Sequence, residues 1–176
     1  MYLPPIVKIG HKALRTPTRK VASSWVRGGA AKALVKRMFA AMRRARGVGL
    51  AANQLGLPWR VFVMENRGGG RYPGRSSVGP QAYFNARIVK GQGRKVMDWE
   101  GCLSIPGYRG LTPRYPAVEF EALDASGRKV RRKAAGFEAR IVQHEVDHLD
   151  GLFYVDRMRD LGMWFHQEEL EKHSGQ

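Results

Sequence analysis

Two histidines four residues apart with a glutamate directly after the first, His144-Glu145-Val146-Asp147-His148, leave the chain few ways to fold around them. On a helix this spacing puts both imidazoles on one face, within reach of a single ion, with Glu145 on the same shoulder. Val142, Val146 and Leu149 supply apolar positions around the pair, so the helix is expected to be buried deeply enough that its polar residues need partners. The pattern predicts a helix starting near Ala135-Gly136, carrying Phe137, Ile141, Val142, His144, Glu145 and His148, and ending at Gly151. A neutral imidazole pair holds a divalent ion without adding charge, and Glu145 is placed to take a proton from water that the ion activates. The run reads as a hydrolytic metal site.

Two histidines do not close such a site, and the residues offer two third ligands. Cys102 lies 42 residues before His144 in Glu100-Gly101-Cys102-Leu103-Ser104, next to a glycine that allows close backbone approach. Its thiolate suits a soft or borderline ion, although a lone cysteine is commonly just a small buried hydrophobe. Glu168, 20 residues after His148, would instead give the two-histidine, one-carboxylate set of thermolysin-like peptidases; its neighbours Glu169 and Glu171 suggest solvated charge. A further unusual segment, GVGLAANQ at 47–54, combines glycines for tight turning with Gln54, an amide donor. If Gln54 and the Leu103 backbone N–H face one carbonyl they form an oxyanion site, where one donor is worth about 3 kcal/mol.

The 176-residue length fits one domain. The reading divides it into a catalytic domain at 1–163 and a short polar tail at 164–176, with a brief helix over Trp164 to Lys172. The single cysteine excludes an internal disulfide framework and suits a reducing compartment. No apolar stretch reaches membrane-span length, and no secretory h-region is expected at the start. Charge is lopsided: residues 1–64 hold 13 Lys or Arg and no acid, and the rest 18 basic against 15 acidic. That field suits transient contact with the ribosome or its RNA, or simply a solvated face; no aromatic or glycine RNA module accompanies it. An acid-free, Arg-rich start also fits a transit peptide, but the 47–54 segment lies inside it. Periodicity predicts a first helix between Gly28-Gly29 and Gly47, with Leu34, Val35, Met38, Phe39 and Met42 apolar. Strands are expected at Arg60–Glu65, Ala82–Val89, Ala117–Ala125 and Lys129–Lys133, and a loop from Asn66 to Gly79 in which Gly68-Gly69-Gly70 is a turn rather than a phosphate loop.

Taken together and in order, GVGLAANQ at 47–54, EGCLS at 100–104 and QHEVDH at 143–148 resemble the peptide deformylase family, and the resemblance spans most of the chain. It implies an α+β fold, peptide deformylase-like, with small antiparallel sheets packed around a central metal-binding helix. It implies Cys102, His144 and His148 as ligands of one divalent ion, Fe²⁺ physiologically with Zn²⁺ or Ni²⁺ as alternatives, and Glu145, Gln54 and Leu103 as the catalytic residues. Val48, Gly49, Leu50, Phe137 and Ile141 become substrate-binding candidates, the peptide lying extended along Val48-Gly49-Leu50. The implied substrate is the N-formyl-methionyl end of nascent polypeptides, cleaved to formate and a free amine, in a bacterial cytoplasm or, as the second choice, an organelle matrix. Arg109 is expected to brace the site through Glu100. Asn53, Ala86 and Arg46 depart from the family pattern without touching the expected chemistry, the 66–80 loop resembles an insertion of some subgroups, and the tail past Met158 is short for a ribosome-docking helix. The competing readings are a deacylase of other acyl preference, an HExxH metallopeptidase, and a ribosome- or RNA-binding factor with a structural metal.

Overall fold

A five-residue helix, α1 (Ser23–Arg27), leads into α2 (Gly29–Arg44), whose Leu34, Met38 and Met42 turn inward while Lys32, Lys36, Arg43 and Arg44 stay in solvent. This is the helix that the apolar spacing predicts. In the computed structural model, which describes residues 5–68 and 74–174, three strands follow: β1 (Gly49–Ala51), β2 (Val61–Asn66) and β3 (Val78–Gln92). A hairpin of β4 (Val96–Cys102) and β5 (Ile105–Arg114) comes next, then a second hairpin of β6 (Ala117–Leu123) and β7 (Lys129–Ala135) turning at Asp124–Gly127. The chain closes with α3 (Gly136–Leu149), β8 (Trp164–His166) and α4 (Gln167–Ser174). Both sheets are antiparallel, one in the order β1-β2-β3-β6-β7 and the other β4-β5-β8. The α+β architecture expected from the sequence is therefore present.

The larger sheet lies between the two long helices. β2 is apolar almost throughout because both its faces are covered. Phe62 and Met64 join Val142, Val146 and Leu149 of α3 in one core, and Val61 and Val63 join Leu34, Met38 and Met42 of α2 in another. A third, smaller core of Leu14, Cys102, Ile105, Phe153 and Tyr154 packs beneath the end of the β4–β5 hairpin. Arg60 fixes the approach of α3 to β3: its Nε and Nη2 donate to the Ala86 carbonyl, and its Nη1 pairs with Asp150 at 2.7 Å.

Two expectations need correction. The β4–β5 hairpin was not anticipated, because Gly101, Pro106, Gly107, Gly110 and Pro113 read as turn formers. Gly110 belongs in a strand here because a Cβ would sit 2.4 Å from the Met158 sulfur, so the strand runs close under that side chain. The helix expected over Trp164–Lys172 begins only at Gln167; Trp164–His166 pair with Gly110–Tyr108 as the third strand of the smaller sheet. Residues 69–73, which include Gly69 and Gly70, lie outside the described residues. No helix among the described residues is long and apolar enough to cross a membrane.

Candidate metal centre

Helix α3 places its ligand candidates as the four-residue spacing requires, with the rings of His144 and His148 4.9 Å apart. Cys102 meets them from the last residue of β4, where the β4–β5 register shifts between Gly101 and Cys102. Its Sγ lies 3.1 Å from His148 Nε2, and one ligand atom from each of Cys102, His144 and His148 falls within 4.8 Å of the others. One sulfur and two imidazole nitrogens form a donor set suited to a divalent ion of borderline softness. Burial, with the charges of His144 and Arg114, holds the His148 pKa well below its usual value, so this ring stays in the neutral, coordinating form. Glu168 is elsewhere, exposed on α4 with an oxygen 3.9 Å from His166.

Glu145 is buried beside the first histidine, and its Oε2 has no hydrogen-bond partner among the described residues. Burial pushes its carboxyl up to about 7, against the opposing effect of His144. Backbone passes directly over it: a Cβ at Gly49 would stand 2.2 Å from Glu145 Oε1, so only glycine fits that position of β1. Gln54, on the short 3-10 turn after β1, is 1 % exposed. Its Oε1 accepts from the Ala51 N–H, which turns Nε2 toward Ser104 Oγ at 3.2 Å and Cys102 Sγ at 3.6 Å. The Leu103 carbonyl accepts from Lys8 Nζ, and its side chain lies over Gly47, where a Cβ would come within 2.7 Å.

Behind the ligands lies a charge network centred on buried Glu100 and Arg114. Glu100 accepts from Arg114 Nε and Nη2, from Arg140 Nη1 at 2.7 Å and from the His144 Nδ1 side at 2.9 Å. Burial alone would raise the Glu100 pKa; Arg114 and His144 outweigh it and hold the carboxyl well below the usual carboxylate range. With Nδ1 of His144 directed at Glu100, its other nitrogen is left for the Cys102 side. Asp147 carries the network outward, accepting from Arg114 Nη1 and Arg157 Nη2. The bracing role expected of Arg109 thus falls to Arg114 and Arg140. Asn53 donates to the His148 carbonyl and so ties the Gln54 turn to α3.

The site opens into a cavity lined by Val48, Gly49, Gln54, Phe137, Ile141 and Glu145 among others. The Leu50 side chain is instead in the core beneath α2, leaving only its backbone toward this side. Trp99 and Arg140 also line the cavity and were not singled out from the sequence. Arg140 carried a readable signal, a charged residue four before His144 on the buried face of the helix; Trp99 required the unanticipated β4.

A family model described as polypeptide deformylase matches residues 3–164. Peptide deformylase 2 of Nostoc sp. is 36 % identical over 171 residues, covering 96 % of this chain and 93 % of the relative. Peptide deformylase 2 of Bordetella bronchiseptica is 42 % identical over 139 residues, 79 % of each chain. Among solved structures, a Met-Ala-Ser-bound class I type b peptide deformylase from Acinetobacter baumannii superposes with a TM-score of 0.86 at 33 % identity, covering 89 % of this chain and 99 % of that one.

Proposed function

This chain belongs to the peptide deformylase family, metal-dependent hydrolases that remove the N-formyl group from amino-terminal methionine and release formate, and we propose how its own residues carry out that reaction. Cys102, His144 and His148 hold the ion, Fe²⁺ in the cell, with Zn²⁺ or Ni²⁺ the alternatives. When bound, such an ion polarises the formyl carbonyl and makes water a competent nucleophile at neutral pH. Glu145 takes the proton of the attacking water and delivers it to the departing amine, a task suited to a carboxyl pushed up to about 7. Gln54 Nε2 and the Leu103 N–H donate to the oxygen that gains charge in the tetrahedral intermediate. Glu100, Arg114 and Arg140 keep His144 oriented.

Val48, Gly49 and the Leu50 backbone hold the extended peptide, and the cavity walled by Phe137 and Ile141 receives the methionine side chain. The observation that carries the reading is the buried Glu145 carboxylate, its Oε2 without a hydrogen-bond partner among the described residues, on the same helix as two of three clustered ligand atoms. The test is formate release from a formyl-Met peptide by anaerobically purified, Fe²⁺-loaded protein beside Glu145→Ala. Activity abolished in the variant with metal retained supports the role of Glu145; full activity in the variant removes it. The work is assigned to the bacterial cytoplasm, in keeping with the bacterial relatives, as one catalytic unit that includes β8.

A further inference from the structure

The β4–β5 hairpin turns through only two residues, Leu103 and Ser104, with Cys102 opposite Ile105. Two-residue turns that match the twist of paired strands are the mirror-image types, which need positive φ at one or both central residues. Among the described residues, positive φ outside glycine occurs only at Arg46 and Asn85, so this turn is not one of them. It follows directly on the Cys102 ligand and carries the Leu103 N–H, and contacts from elsewhere hold it. Gln54 Nε2 donates to Ser104 Oγ at 3.2 Å. The other contacts come from the run Val7-Lys8-Ile9, far off in sequence. The Ile9 N–H donates to the Ser104 carbonyl at 2.9 Å, Lys8 Nζ to the Leu103 carbonyl at 2.9 Å, and the Val7 N–H to the Gln54 carbonyl at 2.9 Å. Three consecutive residues thus tie the turn that bears one proposed oxyanion donor to the residue that supplies the other. Of the three, only Lys8 bonds through its side chain, so its contact can be removed without touching the backbone.

We propose that Lys8 is a positioning residue for the hydrolytic step: its ammonium, by pinning the Leu103 carbonyl, fixes the turn and with it the aim of the Leu103 N–H. The proposal rests on the reading that this N–H and Gln54 Nε2 stabilise the tetrahedral intermediate. Lys8 does not line the catalytic cavity; its effect passes through the turn. A charged donor binds a carbonyl more strongly than a neutral one, so its loss gives the Leu103–Ser104 peptide freedom that the two backbone bonds alone do not remove. An N–H aimed at an oxygen that gains charge only in the transition state acts on turnover more than on substrate binding. The Lys8 side chain is exposed, and replacing it leaves the fold in place.

The test measures kcat and KM of the metal-loaded enzyme on formyl-Met-Ala-Ser, and inhibition by the product Met-Ala-Ser, for wild type, Lys8→Met, Lys8→Arg and Gln54→Ala. Loss of a whole oxyanion donor costs about 100-fold or more in kcat, which is the expectation for Gln54→Ala. Gln54→Glu keeps the bond from the Ala51 N–H while losing the donor, and stands in if the alanine variant does not fold. Lys8→Met loosens a donor without removing it, so kcat is expected to fall about fivefold while KM and the product inhibition constant stay within about twofold of wild type. Lys8→Arg, which restores a charged donor, should recover at least about half of the wild-type turnover. Wild-type kcat in Lys8→Met beside a crippled Gln54 variant overturns the brace and leaves the oxyanion reading standing. Wild-type kcat in the Gln54 variant overturns the oxyanion reading and the proposal with it. A loss in Lys8→Met that Lys8→Arg does not recover, or that comes with a lower melting temperature or metal content, gives Lys8 a structural part only and also overturns the proposal.

Discussion

Gly49 shows how little tolerance the site has at single positions. Any side chain there would collide with the buried Glu145 carboxylate and push it from its place on α3. Gly49→Ala is therefore expected to lower kcat by about tenfold or more through displacement of that carboxylate, since small misplacements of a catalytic group cost factors of this size. Steady-state kinetics with circular dichroism on the same sample checks it; wild-type turnover would mean that the strand yields instead. At this scale the sequence was readable for the His144–His148 pair with Glu145, whose chemistry shows in residue type and spacing, while Cys102 and Glu168 were separated by the family resemblance and by the clustering of the Cys102 sulfur with the two rings. It was misleading for the brace on Glu100, and the reason is strand parity. Glu100 stands opposite Gly110, so Thr112 and Arg114 share its face of the hairpin, whereas Arg109 stands opposite Gly101, one residue out of phase. Choosing between two arginines five residues apart required a register that no motif encodes.

At the level of elements, the short turn Tyr154–Arg157 links the metal helix to the segment before β8, and one carboxylate organises it. Asp156 accepts from the Phe153 N–H at 2.7 Å and pairs with Arg15 near the start of the chain. Burial pushes the Asp156 pKa up, but the Arg15 and Phe153 hydrogen bonds outweigh it and the net shift is downward. A carboxyl lowered on folding contributes stability that is complete above its unfolded pKa and is lost as pH falls through the folded one. The stability gap between wild type and Asp156→Asn should thus be largest near neutral pH and close as pH drops below the ordinary aspartate range. Urea midpoints at about pH 7 and pH 3 measure it, and a gap that stays constant between them would be evidence against the linkage. The two long helices, α2 and α3, and the β6–β7 hairpin were legible because each shows one clear period or turn. β4 and β5 were not, since glycines such as Gly107 and Gly110 answer to close packing against other elements rather than to local turns, and the three-residue β8 is too short to show a period.

Across the whole molecule, the fold redistributes charge in a way the chain order hides. Of the cations in residues 1–64, Arg15, Arg43 and Arg60 are matched with Asp156, Glu65 and Asp150, carboxylates that all come later in the chain. Lys32, Lys36 and Arg44 on the outer side of α2, with Arg46 just beyond it, are exposed and have no ion pair among the described residues. That remainder is the surface proposed here for transient contact with ribosomal RNA. Binding to purified ribosomes should fall steeply between about 50 and 200 mM salt, and Lys32→Glu with Lys36→Glu should weaken it and flatten the salt dependence. Salt-insensitive binding, or none, would return this face to the role of a solvated surface.

The position of β2 between two cores has a consequence for how such a chain can vary in length. Its odd positions, Val61 and Val63, are compact and branched toward α2, while Phe62 and Met64 are long toward α3. Losing or gaining one residue here would exchange the two sets at once, offering each helix the shape cut for the other. The strand works as a key with two unlike edges, and inheritance can lengthen or trim the chain only away from it.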